Sequence, residues 1–243
     1  MMKSLLRRFA VLGIAGAAMA GTLFGGALEV LALTEQEIVE RLQNVPVFTV
    51  ADREGKPLVA QVDADNPSAG SVAGVFISPQ DAERFVQNLK RDNPTLGNQV
   101  QVVVVSLAEI YQLDRQASQN TQANFGFTYV PTEQQVQQAR QLSQDFQGTP
   151  LFVARGGPEQ GYLTLQQGEE QVIPFFFDKQ QLQQMIERFK EQEPSLASTV
   201  SIQAVPLEGV IQAMETSNNA GLNQIVLVPS QSAIQYIQSR QPR

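Results

Sequence analysis

Apolar and polar residues alternate along this chain in two rhythms, one of period two and one of helical period, and one block of the pattern occurs twice. Val75-Phe-Ile-Ser-Pro-Gln-Asp-Ala-Glu-Arg-Phe-Val-Gln-Asn-Leu-Lys90 opens on an apolar run and then spaces Ala82, Phe85, Val86 and Leu89 at i, i+3, i+4, i+7. Phe175-Phe-Phe-Asp-Lys-Gln-Gln-Leu-Gln-Gln-Met-Ile-Glu-Arg-Phe-Lys190 does the same with Leu182, Met185, Ile186 and Phe189. The spacing predicts a strand followed by an amphipathic helix. Ser78 and Asp178 stand where such helices take their N-cap. Phe85 and Met185, and Leu89 and Phe189, become equivalent core positions.

The match extends in both directions. Val45-Pro-Val-Phe48 and Thr149-Pro-Leu-Phe152 lie 104 apart. Pro94 and Leu96 answer Pro194 and Leu196, and Val102, Val105 and Leu107 answer Ile202, Val205 and Leu207, all at 100. Tyr129-Val-Pro-Thr132 and Leu227-Val-Pro-Ser230 lie 98 apart. So small a drift predicts one duplicated unit with minor loop changes; two copies are too few for a solenoid.

In chain order, Thr34-Glu-Gln-Glu37 reads as a capping box for a helix carrying Ile38 and Leu42. Strands follow at 47–50 and 58–62, then at 72–77, and the helix of the first block ends at Asn93-Pro94. Residues 100–105 are apolar on both faces, as in a buried strand. A short helix is predicted over 107–113, a polar mobile loop over 114–124, a strand over 125–130, and a capped helix from Thr132 carrying Val136, Ala139, Leu142 and Phe146. Gly148 closes the first half and the order restarts, with frayed residues at 240–243. The predicted fold class is α/β (α+β): two pseudo-symmetric halves, each a mixed or antiparallel sheet packed by amphipathic helices. The expected divisions are residues 33–45 as an N-terminal helix, 46–147 as the first repeat and 148–239 as the second.

Residues 1–32 differ from the rest. Lys3, Arg7 and Arg8 precede an apolar, Ala-rich stretch from Phe9 to Ala20, and Val30-Leu31-Ala32 offers a peptidase site. This predicts a cleaved export signal, by the general or the twin-arginine route. Removing it takes the net charge from −7 to −9, because it carries Lys3, Arg7, Arg8 and Glu29. An acidic chain without basic runs does not bind nucleic acid or anionic lipid by charge. Peripheral membrane association by other means stays open.

The 243 residues contain no histidine and no cysteine. Ser-His-Asp, Cys-His and His-based metal sites are therefore excluded, and neither the phosphate-binding lysine loop nor a dinucleotide glycine fingerprint is present. Asp63/Asp65 and Glu169/Glu170 read as solvated turn residues. No cofactor, metal or catalytic residue is expected. Apolar residues are more informative. Phe175, Phe176 and Phe177 place rings on both faces of one strand, and Phe125, Phe127 and Tyr129 alternate onto one face. Such residues are either core or an open face that receives an apolar partner.

The segments Val-Pro-Val-Phe-Thr-Val at 45–50, Gly-Val-Phe-Ile-Ser at 74–78, Gly-Thr-Pro-Leu-Phe-Val at 148–153, Gln-Val-Ile-Pro-Phe-Phe-Phe-Asp at 171–178 and Val-Pro-Leu-Glu at 205–208 resemble the Tic twenty-two family. That family takes its name from a soluble component associated with the translocon at the inner chloroplast envelope, and the bacterial-type leader resembles that of a cyanobacterial member. The resemblance spans about residues 34–238. It implies a two-winged α/β body with apolar pockets and no catalytic residues. It also implies a periplasmic protein, with a thylakoid-lumen pool open. The implied role is chaperone-like assistance to precursor translocation or outer-membrane protein biogenesis. The expected partners are unfolded or precursor proteins and an outer-membrane barrel translocation or assembly protein. The client-binding candidates are Phe125, Phe127, Tyr129, Phe175 and Phe177. A carrier of a small apolar ligand, pigment or lipid, is the alternative.

Overall fold

The computed structural model describes residues 9–10, 32–63, 65–66, 70–119, 125–157, 159–192 and 199–240. The expected leader (apart from residues 9, 10 and 32), residues 120–124, the Pro194/Leu196 landmark and residues 241–243 lie outside that set.

Helix α1 (Glu35–Leu42) starts on the capping box: Thr34 N–H donates to Glu37 Oε2 at 2.8 Å and Glu37 N–H to Thr34 Oγ1 at 3.3 Å. The Thr34 bonds hold the Glu37 carboxyl below the usual carboxylate range. The first sheet comprises β1 (Pro46–Asp52), β2 (Val59–Gln61), β3 (Ser71–Phe76), β4 (Val100–Ser106) and β5 (Phe125–Val130). Between β1 and β2 the chain turns on Asp52, whose Oδ1 accepts from Glu54 N–H and Lys56 N–H, both at 2.9 Å. Gly55 there has φ 84°, a conformation that favours glycine. Strand β4 pairs β1 antiparallel from Pro46↔Ser106 to Asp52↔Val100, and β5 pairs β3 in parallel from Ser71↔Phe125 to Phe76↔Val130.

The second sheet comprises β6 (Pro150–Gly156), β7 (Gly161–Tyr162), β8 (Thr164–Gln167), β9 (Glu170–Phe176), β10 (Ser201–Pro206) and β11 (Ile225–Val228). Phe9–Ala10 pair antiparallel with Leu165 and Thr164 at its margin. The main order is the same in both sheets, β5-β3-β1-β4 and β11-β9-β6-β10, with only the first pair of each parallel. In both, the short hairpin strands wedge between the diverging central pair.

The helices are α2 (Pro79–Asp92), α3 (Pro94–Gly97), α4 (Leu107–Gln119), α5 (Glu133–Leu142), α6 (Lys179–Gln192), α7 (Leu207–Thr216) and α8 (Gln231–Arg240), with a 3-10 turn at Ala220–Gln224. Ser78 Oγ accepts from Asp81 N–H at 3.3 Å at the start of α2, with Pro79 in the first turn, where its missing N–H costs nothing. Asp178 Oδ1 accepts from Gln180 N–H at 2.8 Å at the start of α6.

Three apolar clusters hold the layers together. The central one joins the inner faces of both sheets (Val47, Val75, Leu151, Val153, Phe175) to Ile38 and Leu42 of α1, Leu107 and Ile110 of α4, and Leu207 and Met214 of α7. Each sheet carries two helices on its outer face, and one of each pair comes from the other half of the chain. Helix α5 follows β5 yet joins α6 over the second sheet, where Ala139 packs with Phe152 and Phe189. Helix α8 follows β11 yet joins α2 over the first sheet, where the Tyr236 ring meets Phe48 edge-on at 5.2 Å. Segments 46–147 and 148–239 therefore exchange a helix in packing. Both faces of both sheets are covered, which accounts for the doubly apolar strands.

Three expectations are corrected. Helix α4 does not stop at Leu113 but runs to Gln119, through half of the expected loop. A capping box of Ser106 and Glu109 starts it (Ser106 N–H to Glu109 Oε2, 2.7 Å), nothing from 107 to 119 breaks it, and Asp114 and Arg115 bond to other elements. Phe85 is 42% exposed. The stripe of α2 centres on Ala82 and Val86, and Phe85 flanks it with its ring 5.5 Å from Phe76. Leu142, expected on the core face of α5, is exposed at the end of its helix.

Candidate functional site

The second half holds an apolar cleft of about 900 Å³. Its floor is Ile173 and Phe175 from β9 with Ile225 from β11, and one wall is Val210 and Ala213 of α7. Leu222, in the 3-10 turn, closes one end. At the rim stands Tyr162, 37% exposed, with its ring 5.9 Å from that of Phe175. Arg155 lies 5.3 Å from the centre of the Tyr162 ring, and its Nε donates to Gln160 C=O at 2.7 Å, which fixes the guanidinium at the mouth. Glu159 is the other charged residue at the cleft.

Local sequence explains why the cleft is there. Helix α7 starts at Pro206 without a side-chain cap, buries Leu207, Val210 and Met214, and lines the cleft with the small Gly209 and Ala213 beside Val210. Glu208 turns away to accept from Thr149 N–H at 3.0 Å. Small side chains on the helix and a ring on the strand leave room between them.

A second, polar pocket of about 430 Å³ lies where α2, α5, α6 and α8 begin, lined by Ser78, Thr132, Asp178 and Ser230. Its helix ends are bonded within the protein. Lys179 N–H donates to Gln135 Oε1 at 3.2 Å, Gln135 Nε2 to Asp178 Oδ1 at 3.3 Å, and Gln231 N–H to Gln181 Oε1 at 3.2 Å. This pocket joins the halves and leaves its caps little capacity for a ligand.

Of the aromatics selected from sequence, one lines the cleft and three belong to or pack against the central core. Phe175 lines the cleft. Phe177 is 3% exposed in the central cluster, and Phe127 and Tyr129 pack half-buried against it. Burial, aided by Asp114 and Glu208, pushes the Tyr129 hydroxyl well above its usual pKa. Phe125 is half-buried, its ring 5.0 Å from that of Phe127. Sequence reasoning missed Tyr162, Gly209, Ala213 and Leu222. The repeat register held the signal for two of them, since Glu109 and Leu113 stand where the second copy has Gly209 and Ala213. Among the described residues no group of three acidic side chains is placed to hold a metal ion, and no helix is long and apolar enough to cross a membrane.

Two like-ordered sheets around one core, with exchanged outer helices and an apolar cleft, define a mixed α/β protein of two related halves. The model of the Tic22-like family matches residues 7–239, and the chain belongs to that family. Among solved structures it is similar to Anabaena Tic22, a protein-transport protein: 30% identity, TM-score 0.74, covering 87% of this chain and 99% of that one. It shares its fold with Tic22 from Plasmodium falciparum at 21% identity and TM-score 0.66, covering 83% and 96%. No functionally curated protein matches the chain in sequence.

Proposed function

We propose that the chain is a non-enzymatic, chaperone-like component of protein transport in the export compartment, the periplasm. It takes apolar segments of unfolded or precursor proteins into the cleft between β9 and α7. The observation that carries this reading is the cleft itself, an apolar recess rimmed by an exposed tyrosine in a protein whose remaining large aromatics are mostly packed away. The transport role of the Anabaena relative supports it. Of the five aromatic candidates, Phe175 is the one assigned to client contact, with Tyr162 beside it. Phe127, Tyr129 and Phe177 belong to the central core, and Phe125 packs on Phe127.

Burial of about 300–400 Å² of apolar client surface at roughly 25 cal/mol per Å² contributes on the order of 8–10 kcal/mol gross. Association and ordering costs of similar size leave a weak, reversible complex. That suits a protein that hands clients on, an outer-membrane assembly protein being the expected recipient. A cleft of this volume also falls in the range of small-ligand sites, which keeps the pigment or lipid carrier as the second reading.

The test is to fill the cleft with the side chain that the first copy already carries. Ala213→Leu is expected to fold with unchanged circular dichroism and to lose most of its ability to suppress aggregation of a denatured barrel precursor. Undiminished suppression, or a lipid or pigment recovered with the wild-type protein and absent from the variant, overturns the client reading.

A further inference from the structure

Among the described residues strand β4 is an open sheet edge, and we propose that it takes a second kind of client contact: an extended, uncharged, β-branched segment of an unfolded polypeptide, added to the sheet as a further strand. The inference rests on the transport-chaperone reading but uses a different surface from the cleft.

The direction of each backbone group follows from the ladder. Leu107 N–H donates to Val45 C=O at 2.8 Å. In the same register Val105 faces Val47, Val103 faces Thr49 and Gln101 faces Ala51. Hydrogen-bonded pairs alternate along an antiparallel ladder, so the odd-numbered residues of β4 direct N–H and C=O to β1. Val100, Val102 and Val104 then direct theirs to the open side. Two bonds agree with this parity. Ser106 N–H, on the open side, is taken by Glu109 at 2.7 Å, and Val50 C=O, on the far side of β1, accepts from Leu58 N–H at 2.7 Å.

The other outer strands are covered further along their length than β4. On β5, Phe127 N–H is capped by Asp114 Oδ1 at 3.3 Å from α4. Strand β11 lies against α1, and Arg41 donates to Asn223 C=O just before it, at 2.9 Å. Strand β10 is the counterpart of β4, and the outward rows of both pack their first residues under helices and end without a free N–H, at Pro206 and at Ser106; they differ in the middle, where Ala204 packs into the cluster of α5 and α6. In β4, Val104 is 39% exposed, and no charged residue occurs between Asp92 and Glu109. Folded proteins normally protect such an edge with charge, proline or a bulge. Here it is left available, with valines to pack beside an incoming β-branched row.

Charge and area decide the occupant. A second copy of a chain with net charge −7 is repelled. One edge of 7 residues also buries far less than the roughly 800 Å² per partner of a stable complex. A neutral segment with basic flanks avoids both objections, because transient pairing is all that a chaperone requires.

Two variants and one probe test this. The probe is a fluorescein-labelled peptide of alternating valine and threonine flanked by lysines. Val104→Pro removes an outward N–H that the ladder does not use, a position where an edge strand accepts proline; Val104→Lys keeps the backbone and adds a charge. Both are expected to weaken the peptide at least tenfold. In the wild type the peptide is expected to slow hydrogen exchange at the Val102 and Val104 amides and leave the already paired Val103 unchanged. Equal binding by wild type and both variants, or protection that appears only at the cleft, overturns the inference. So does slow exchange at Val102 and Val104 in the free protein that fades on dilution, since a second copy then holds the edge. Loss of the edge effect with aggregation suppression intact removes this inference alone, whereas a wild type that suppresses no aggregation removes the transport-chaperone reading beneath it.

Discussion

The two halves carry the same strand order and differ most where α4 and α7 meet their sheets. In the first half Ser106 and Glu109 cap a helix of 13 residues that presents Leu113 and Tyr111. In the second, Pro206, Gly209, Ile211 and Ala213 occupy the corresponding positions of a helix of 10 residues without a side-chain cap. On the strands the direction reverses: Val75 and Ala73 in the first half answer Phe175 and Ile173 in the second. At these helix positions the first half exposes Glu109 and Leu113 and buries Tyr111, whereas the second half lines its cleft with Gly209 and Ala213. One architecture thus carries different side chains at the same helix and strand positions of its two halves. The edge strands differ as well, β4 being less covered in its middle than β10.

The largest expected contrast lies on the outer helices. Phe189 is 1% exposed and Phe85, on the equivalent helix, is 42% exposed. Phe189→Ala should cost about 3–5 kcal/mol of unfolding free energy, and Phe85→Ala about 1 kcal/mol or less. Urea midpoints that move equally would show the two helices packed alike and break the contrast. A smaller difference is expected at the caps. Asp178 bonds both Gln180 and Gln135, whereas Ser78 bonds the backbone of Asp81 alone and its hydroxyl otherwise meets only Gln80. Asp178→Ala should cost about 1–2 kcal/mol and Ser78→Ala about 1 kcal/mol; thermal melts of the pair rank them.

The smallest effect concerns Tyr111, which replaces the isoleucine of the second copy and reaches across to it. Tyr111 Oη donates to Glu215 Oε1 at 3.0 Å, and burial first, then this bond, push its pKa up to about 12. The folded state thus holds the phenol neutral where the unfolded chain ionises near 10, so this stabilisation is complete below about pH 10. It fades as the pH rises through 12. Tyr111→Phe should therefore lose stability less steeply than wild type between pH 10 and 12. Parallel curves would show that the phenol does not contribute.

Much of this was legible in the chain. Strand and helix order, four of the caps and the family resemblance came from periodicity and short motifs, because each is written within a few neighbouring residues. The length of α4 was not, since its last turns are polar and are held by Asp114 to β5 and by Arg115 to Glu215, contacts remote in sequence. Phe85 was misplaced because helical spacing identifies a stripe without its centre. The cleft was hidden for a different reason: it is made by what is missing at Gly209 and Ala213, and hydrophobic patterning registers what is present.

The exchanged helices set a condition on when the molecule can close. Strand β1 is among the first elements made and its Phe48 ring lies against Tyr236 of α8, the last. A polypeptide delivered from its amino terminus cannot seal the outer face of its first sheet until nearly the final residue has arrived. A fragment that lacks α8 leaves the Phe48 ring without its Tyr236 neighbour. The first sheet is thus completed by the last helix, and the packing around Phe48 is whole only once α8 is in place.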